Sequence, residues 1–397
     1  MGRYILLFYY FCKEQLTKSN IDKMMKKIFT LLAAVAMVSC GAPKLELLVE
    51  NNSTVNRDLE TIEIQWEDVA KSGITPEEVT VFCTECNKEI PSQVIYNGEV
   101  EPQSLIFQCS IEAGASKKFV VKKGTPEAYE MKCYGRQVPE RHDDYAWENN
   151  KIAFRAYGVA LESVPGEMLS SPGFDCWVKC VDTLVVDARY KRGNYHHNYG
   201  DGMDCYKVGR TLGAGASAPY VDEQLWLSGN YVTYKTLDKG ALRTSVELTY
   251  APFKVKESEV TLKKIITLDA NTHFNRIENI YEGEFETMPV AAGFIRHDVK
   301  ALNASEGWLA FVEAASDSKH PEEDGDIYFA VVLPGAEFRA ETAGHAVAIA
   351  EVESGVSMVY YAGAGWSLGG VEDMPAWMEL TEKTYAMVNE PLVVTIL

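Results

Sequence analysis

Much of the usual vocabulary of enzymes is missing from these 397 residues. There is no Gly-x-Ser-x-Gly elbow, no Gly-x-x-x-x-Gly-Lys-Ser/Thr loop and no Gly-x-Gly-x-x-Gly turn between strand and helix. Serine-hydrolase and nucleotide-binding readings therefore have nothing to stand on. Basic runs and aromatic-basic stripes are also missing, and a net charge of -19 repels nucleic acid. The chain shows no internal repeat, no low-complexity tract and no apolar run long enough to span a membrane. Helical periodicity is nearly absent, residues 374–382 being the clearest stretch. Cys83 and Cys86 form one Cys-x-x-Cys pair with no second pair to complete a zinc site, so they read as a local disulfide or two buried thiols. Cys176 and Cys180, flanking an extended run, read as core.

What is there is strand-forming. Hydrophobic residues make up 47% of the chain and aromatics 11%, with 21 Tyr against 15 Phe. That balance favours half-wet aromatic surfaces such as strands and ligand grooves. Residues 45–50 and 60–66 alternate apolar and polar, the period of a half-buried strand. Short β-branched runs at 79–83, 92–96, 104–110 and 117–123 follow, spaced as in an antiparallel sandwich. Past a linker at 125–127, further period-two runs include 178–187, 231–235, 242–250, 260–268, 274–282, 308–312, 327–332, 346–351 and 356–361. So much antiparallel strand must stack into two layers. The expected fold is all-β: a small N-terminal β lobe over residues 40–128, then a large two-sheet sandwich over 129–397.

The first 39 residues read as an address. Met25-Lys26-Lys27 is a charged start, 28–38 an apolar stretch too short to cross a bilayer, and Ser39-Cys40-Gly41 a cleavage site. This resembles a bacterial lipoprotein signal, with cleavage before Cys40 and lipidation of its thiol, so the expected membrane contact is a lipid anchor alone. Residues 1–24 precede an ordinary signal start, and Met24 or Met25 is the expected true beginning. Removing 1–39 takes six basic residues against two acidic ones and leaves the remainder more acidic still. A polyanionic substrate would then need a local cation cluster, which Arg189, Lys191, Arg192, Lys207 and Arg210 supply.

Two segments crowd titratable groups without a core-forming period. The first runs from Tyr195 through His196, His197, Tyr199, Asp201 and Asp204 to Tyr206, Lys207 and Arg210, punctuated by glycines. Such a loop is where chemistry is expected. A histidine with a tyrosine gives a base and an acid around a sugar ring. Asp201 with Asp204, or with Asp143 or Asp144, would instead suit glycoside hydrolysis. One of the histidines with Asp201 and Asp204 would make a mixed nitrogen and oxygen site for a divalent cation. The second segment holds His142, Asp144 and Trp147 and ends in Arg155. If Phe154 is core, Arg155 faces a groove or solvent. There it could clamp a carboxylate or pair with Glu148 or Asp144. Trp147 or Trp366 on a concave face would stack on a pyranose, and His297 could close the groove.

His142-Asp-Asp-Tyr-Ala-Trp-Glu-Asn-Asn-Lys-Ile-Ala-Phe-Arg155, Tyr195-His-His-Asn-Tyr-Gly-Asp-Gly-Met-Asp204, Tyr206-Lys-Val-Gly-Arg-Thr-Leu-Gly213 and Tyr361-Ala-Gly-Ala-Gly-Trp366 together carry a family resemblance. The chain resembles the Bacteroidetes lipoproteins of the domain-of-unknown-function family 4861, over nearly all of its length past the leader. The resemblance implies a galactose-mutarotase-like supersandwich and a setting of uronic-acid glycan degradation. It also implies a groove histidine as acid or base, here His196 or His197, with His297 a further candidate. Gly-Ala-Pro-Lys follows Cys40 where surface-directed relatives carry acidic residues, which favours a periplasmic face. The expected function is β-elimination or hydrolysis of uronate-containing oligosaccharides. For elimination, Arg155 or Lys207 would neutralise the uronate, His196 or His197 would take the C5 proton, and Tyr195 or Tyr206 would protonate the leaving oxygen. An aldose mutarotase or epimerase and a non-catalytic glycan-binding lipoprotein are the alternatives.

Overall fold

In the computed structural model the described residues are 44–397. The leader and Cys40 lie outside them. The described chain is built from antiparallel strands, with three α-helices, Trp66–Lys71, Val186–Arg192 and Met374–Asn389.

The N-terminal lobe is a small sandwich. One layer has the order Val393–Ile396, Lys44–Glu50, Ser116–Lys123, Val79–Cys83, Lys88–Ile90; the other has Arg57–Gln65, Ser104–Ile111, Ser92–Ile95. Alternation along these strands sends Leu45, Leu47, Val49, Val81 and Val121 inward to meet Ile62, Ile64, Leu105 and Phe107. The last strand of the chain crosses back to pair antiparallel with the first, Val49 opposite Val394. A linear division at residue 128 does not convey this. A patch of Ile95, Ile106, Cys133, Ala241 and Leu242 joins lobe to main body.

The main body is a two-layer supersandwich. Its large layer has nine strands, running from Tyr231–Lys239 at one edge to Val299–Ser305 at the other. Two five-stranded sheets face it. One is ordered Gly202–Asp204, Phe174–Lys179, Ile152–Ala156, Asp144–Glu148, Tyr134–Val138; the other contains Ala214–Val221, Thr287–Ile295 and His345–Glu353. One continuous core fills the space between, with Trp147, Phe154, Phe174, Phe294, Phe311 and Phe329 among its members. On the far side of the nine-stranded sheet, helix Met374–Asn389 starts from an Asp373 cap that accepts the Ala376 N–H. It inserts Trp377, which stacks on Phe274 at 5.2 Å and donates from Nε1 to the Phe329 carbonyl.

Three local expectations change. The run 178–187 is a strand only to Lys179; from Val186 it is a helix closed by left-handed Gly193. Cys83 is half-buried and Cys86 exposed, with no disulfide between them. Cys176 is core, but Cys180 is exposed and points its thiol at the Gly200 carbonyl.

Trp377→Ala should remove about 3–5 kcal/mol of stability, read as a lowered urea midpoint. A midpoint equal to wild type would show that the helix is not docked through this ring.

Candidate functional site

The outer face of the sheet that carries Arg155 is unusually charged for a buried surface. Along its strands Tyr145, Trp147, Phe154, Cys176, Val178 and Met203 point into the main core. By the same alternation Asp144, Arg155, Asp175 and Asp204 point outward. Three elements roof this face: helix Val186–Arg192, the loop that follows it, and the rings of Tyr190 and Tyr195 on Trp177. The helix is tied down electrostatically. Glu148 accepts the Val185 and Val186 N–H groups at 2.8–2.9 Å and pairs with buried Lys179 at 2.8 Å. Arg189, fully buried, donates to the Val178 and Asp201 carbonyls. This anchoring explains why β-branched residues here form a helix.

Beneath the roof, Arg155 sits among three carboxylates. Its Nε donates to Asp175 at 2.7 Å, Nη2 to Asp204 at 3.1 Å and Nη1 to Asp144 at 3.4 Å. All three aspartates are essentially inaccessible, and in each the second oxygen, Oδ1, is buried without a hydrogen bond. One guanidinium cannot compensate three buried anions. Burial pushes the Asp144 carboxyl up to about 6 against the pull of Arg155. Burial and then the Asp204 charge push Asp175 up to about 8, and burial raises Asp204 to about 6. The cluster therefore retains protons near neutrality.

At the surface of this cluster runs a short row of side chains. Tyr195 Oη accepts from Arg141 Nε at 3.2 Å and from Arg155 Nη1 at 3.3 Å. Its ring lies 4.9 Å from that of His196. The His196 side chain is 48% exposed, with Nδ1 at 3.2 Å from the Asp204 carbonyl oxygen, 3.6 Å from its carboxylate and 3.8 Å from Asp317. A carbonyl oxygen can only accept, so in the neutral ring Nδ1 carries the hydrogen and Nε2 keeps the lone pair. Arg141 binds Glu167 through Nη2 at 2.6 Å, while its Nη1 is buried without a partner.

A second pair lies beyond it. The Lys207 N–H donates to Ser316 Oγ and the Asp317 N–H to the Cys205 carbonyl, both at 3.0 Å. The chain from Asp204 to Lys207 therefore runs beside Glu313–Asp317. At the far end His297 Nδ1 lies 2.7 Å from buried Glu313, with Tyr206 edge-on to the imidazole at 5.3 Å.

Of the residues singled out in the sequence, the structure brings Asp144, Arg155, Tyr195, His196 and Asp204 together. Others lie elsewhere. Trp147 and Trp366 are buried, their indole N–H groups donating to Asn275 Oδ1 and the Asp324 carbonyl, and neither presents a face to a sugar. Tyr206 is buried, and its hydroxyl donates to the carbonyls of Gly213 and Ile295, so it is no proton donor to a surface substrate. Arg155 is saturated by aspartates, which leaves no edge for a uronate. Asp201 pairs with Arg192 at 2.9 Å. His197 is exposed and packs on Tyr199. His142 occupies a left-handed turn with no hydrogen bond or ion pair to the cluster. Arg210 ties the Ser170 and Leu227 carbonyls together, and Lys207 is exposed beside the row.

The suggested cation site does not assemble. Asp201 faces Arg192 instead of His196, and Arg155 occupies the space between the buried aspartates. Among the described residues the grouping with convergent ligand atoms is His320, Glu322 and Glu323, all exposed and outside this site. Asp175 and Arg141 are the residues the sequence did not single out. Asp175 is the one carboxylate in the apolar run Phe-Asp-Cys-Trp-Val, and that break in the pattern was the available signal.

Strand order and layering define an all-β, antiparallel β-supersandwich. The same architecture occurs in an α-mannosidase from Enterococcus faecalis V583, with a TM-score of 0.50 at 8% identity over 89% of this chain. The chain spans 46% of that mannosidase's length. The model of the family described as Domain of unknown function (DUF4861) matches residues 49–394, and the chain belongs to that family. A protein of Formosa agariphila, Uncharacterized protein P7, is 31% identical over 93% of this chain and 98% of its own length.

Because burial raises the three carboxyl pKa values, the native state holds protons that the unfolded chain releases. The stability they contribute is complete below the unfolded value of about 3.9 and is lost as pH rises through about 6 to 8. Asp175→Asn mimics the protonated acid. Its unfolding free energy should gain on wild type between about pH 4 and 8, by about 1.4 kcal/mol per pKa unit imposed. Parallel pH profiles for the two proteins would refute proton retention by the cluster.

Proposed function

We propose that this protein cleaves uronate-containing oligosaccharides by β-elimination at the row Arg141, Tyr195, His196. The observation that carries the reading is the seating of His196: Nδ1 is held by the Asp204 carbonyl in a half-exposed side chain, which leaves Nε2 as the base. In this scheme Nε2 removes the C5 proton. Arg141, whose side chain is 26% exposed, exchanges Glu167 for the uronate and stabilises the enolate. The C4–O bond then breaks, C4 and C5 become doubly bonded, and Tyr195 protonates the leaving oxygen. The Arg155 cluster positions Tyr195 and Asp204 without touching substrate. Lys207, exposed nearby, adds positive charge for an anionic chain. Paired-carboxylate hydrolysis is less well supported, since Asp144, Asp175 and Asp204 are all turned into the protein, and of the exposed carboxylates by the row Glu167 is engaged by Arg141 and Asp317 stands beside His196. Shared architecture with part of a mannosidase supports the carbohydrate class of substrate.

The 2.7 Å His297–Glu313 pair favours a second reading, isomerisation at the anomeric carbon of a free sugar. Polarimetry on monosaccharides would detect it.

His196→Ala should lower turnover about 10²–10⁴-fold, measured as near-ultraviolet absorbance of the unsaturated product from pectic and algal oligosaccharides, while His197→Ala keeps wild-type rates. Full activity in His196→Ala would dismiss the assignment, and products lacking the absorbance would move the chemistry to hydrolysis.

We further propose that Cys40 carries a lipid that holds the protein at the periplasmic face of the cell envelope. Cys40→Ser should then move it from the membrane fraction to the soluble one; unchanged fractionation would contradict the anchor.

A further inference from the structure

Between the N-terminal lobe and the outer face of the nine-stranded sheet lies a cavity of about 450 Å³, within the range of roughly 300–1,000 Å³ found for small-molecule sites. Strands Phe274–Gly283 and Ser357–Trp366 form its floor, with Arg276 and Tyr361 opposite one another in register. Strand Arg57–Gln65 and helix Met374–Asn389 form its walls. It shares no lining residue with the His196 row.

Charge in this cavity is settled internally. Arg243 grips Asp269 through two bonds of 2.6 and 3.0 Å and Glu63 at 2.8 Å. Lys383 holds Asp58 at 2.8 Å, Arg57 lies 3.4 Å from Glu60, and Arg276 pairs with Glu278. An anion or cation entering here would find its counter-charge already engaged. The unsatisfied groups are single hydrogen-bonding positions. Arg57 is 2% exposed and its Nε has no partner. The His273 imidazole makes no hydrogen bond among the described residues, touching Trp377 edge-on at 5.9 Å. Burial lowers its pKa to about 4, so it remains a neutral donor and acceptor. Phe274, Leu380, Met387 and the Tyr361 ring add apolar faces.

Several donors and acceptors beside apolar patches, with no spare charge, match a polyhydroxylated ring that carries hydroxyls on its edge and C–H groups on its face. We propose that this cavity is a second glycan site, which binds one uncharged pyranose unit. The sugar class rests on the reading of the protein as glycan-acting; the location does not.

The test is calorimetry and saturation-transfer NMR with methyl β-D-glucopyranoside, methyl α-L-rhamnopyranoside, methyl β-D-xylopyranoside and the charged methyl β-D-glucuronide. At least one neutral glycoside should bind wild type and His196→Ala equally and bind more tightly than the glucuronide. Its affinity should fall at least tenfold in Tyr361→Ala, which removes the ring face, and in Met387→Trp, which fills the space from the helix; two variants guard against a loss of folding in one. Absence of neutral-glycoside binding, binding unchanged in both cavity variants, binding lost in His196→Ala, or preference for the glucuronide would each overturn the proposal. Neutral binding of the expected pattern without elimination activity would sink the catalytic reading and leave the cavity assignment standing.

Discussion

The proposed catalytic row leans on one buried arrangement, a single guanidinium holding three carboxylates on the outer face of a five-stranded sheet. Arg155 is adjacent in register to Asp175 across one strand pair and to Ala146 across the other, so the sheet's hydrogen bonding fixes where the cation stands. Its partners come from four different strands, counting its own. Removing Arg155 would leave three carboxylates without a cation in a place water does not reach. The roof over that place depends on it in turn. Tyr195 takes a hydrogen bond from Arg155 and lies within 5.2 Å of the guanidinium carbon, and the turn after it carries His196 to the surface. Glu148 with Lys179, one step along the same face, holds the covering helix by its first N–H groups. The surface row is thus the exposed end of a continuous polar network and has little freedom to sit anywhere else.

That network also accounts for a division of labour. The groups assigned to substrate, Arg141, Tyr195 and His196, are each held by a neighbour: Arg141 by Tyr195, Tyr195 by Arg155, and His196 by the Asp204 backbone. Groups with displaced carboxyl pKa values are the inner ones. A shifted titration by itself would have nominated the aspartates as catalytic, and their inaccessibility argues that they orient and tune what lies above them.

The sequence made the layers legible and the site only partly so. Period-two alternation identified most long strands, where one face lies in a core and burial follows the pleat; Ala214–Val221 and Thr287–Ile295, buried along most of their length, carry no such period. It failed at 181–187, where valines suggest a strand but Glu148 captures the chain into a helix; nothing local announces a partner about 40 residues away. Clusters of titratable residues pointed to the loop around His196 and the strand ending at Arg155, two segments that meet in the structure. The same reasoning erred over Trp147, Trp366 and Tyr206. An aromatic ring near polar residues reads identically whether it points in or out, and only sheet register separates the two. Asp175 went unnoticed for the opposite reason: one acid among Phe, Cys, Trp and Val looks like noise until the neighbouring strand supplies an arginine. The interlobe cavity could not be foreseen, since it lies between segments more than two hundred residues apart in the chain.

The crossing of the final strand to the first has a consequence for biosynthesis. Strand Lys44–Glu50 emerges early from the ribosome but lacks its outer neighbour until Val393–Ile396 has been made. Throughout translation it therefore exposes an open edge, the feature most prone to pairing with a foreign chain. The small sandwich cannot close before the final residues are made, and until that clasp is fastened the nascent chain must be kept from strand exchange.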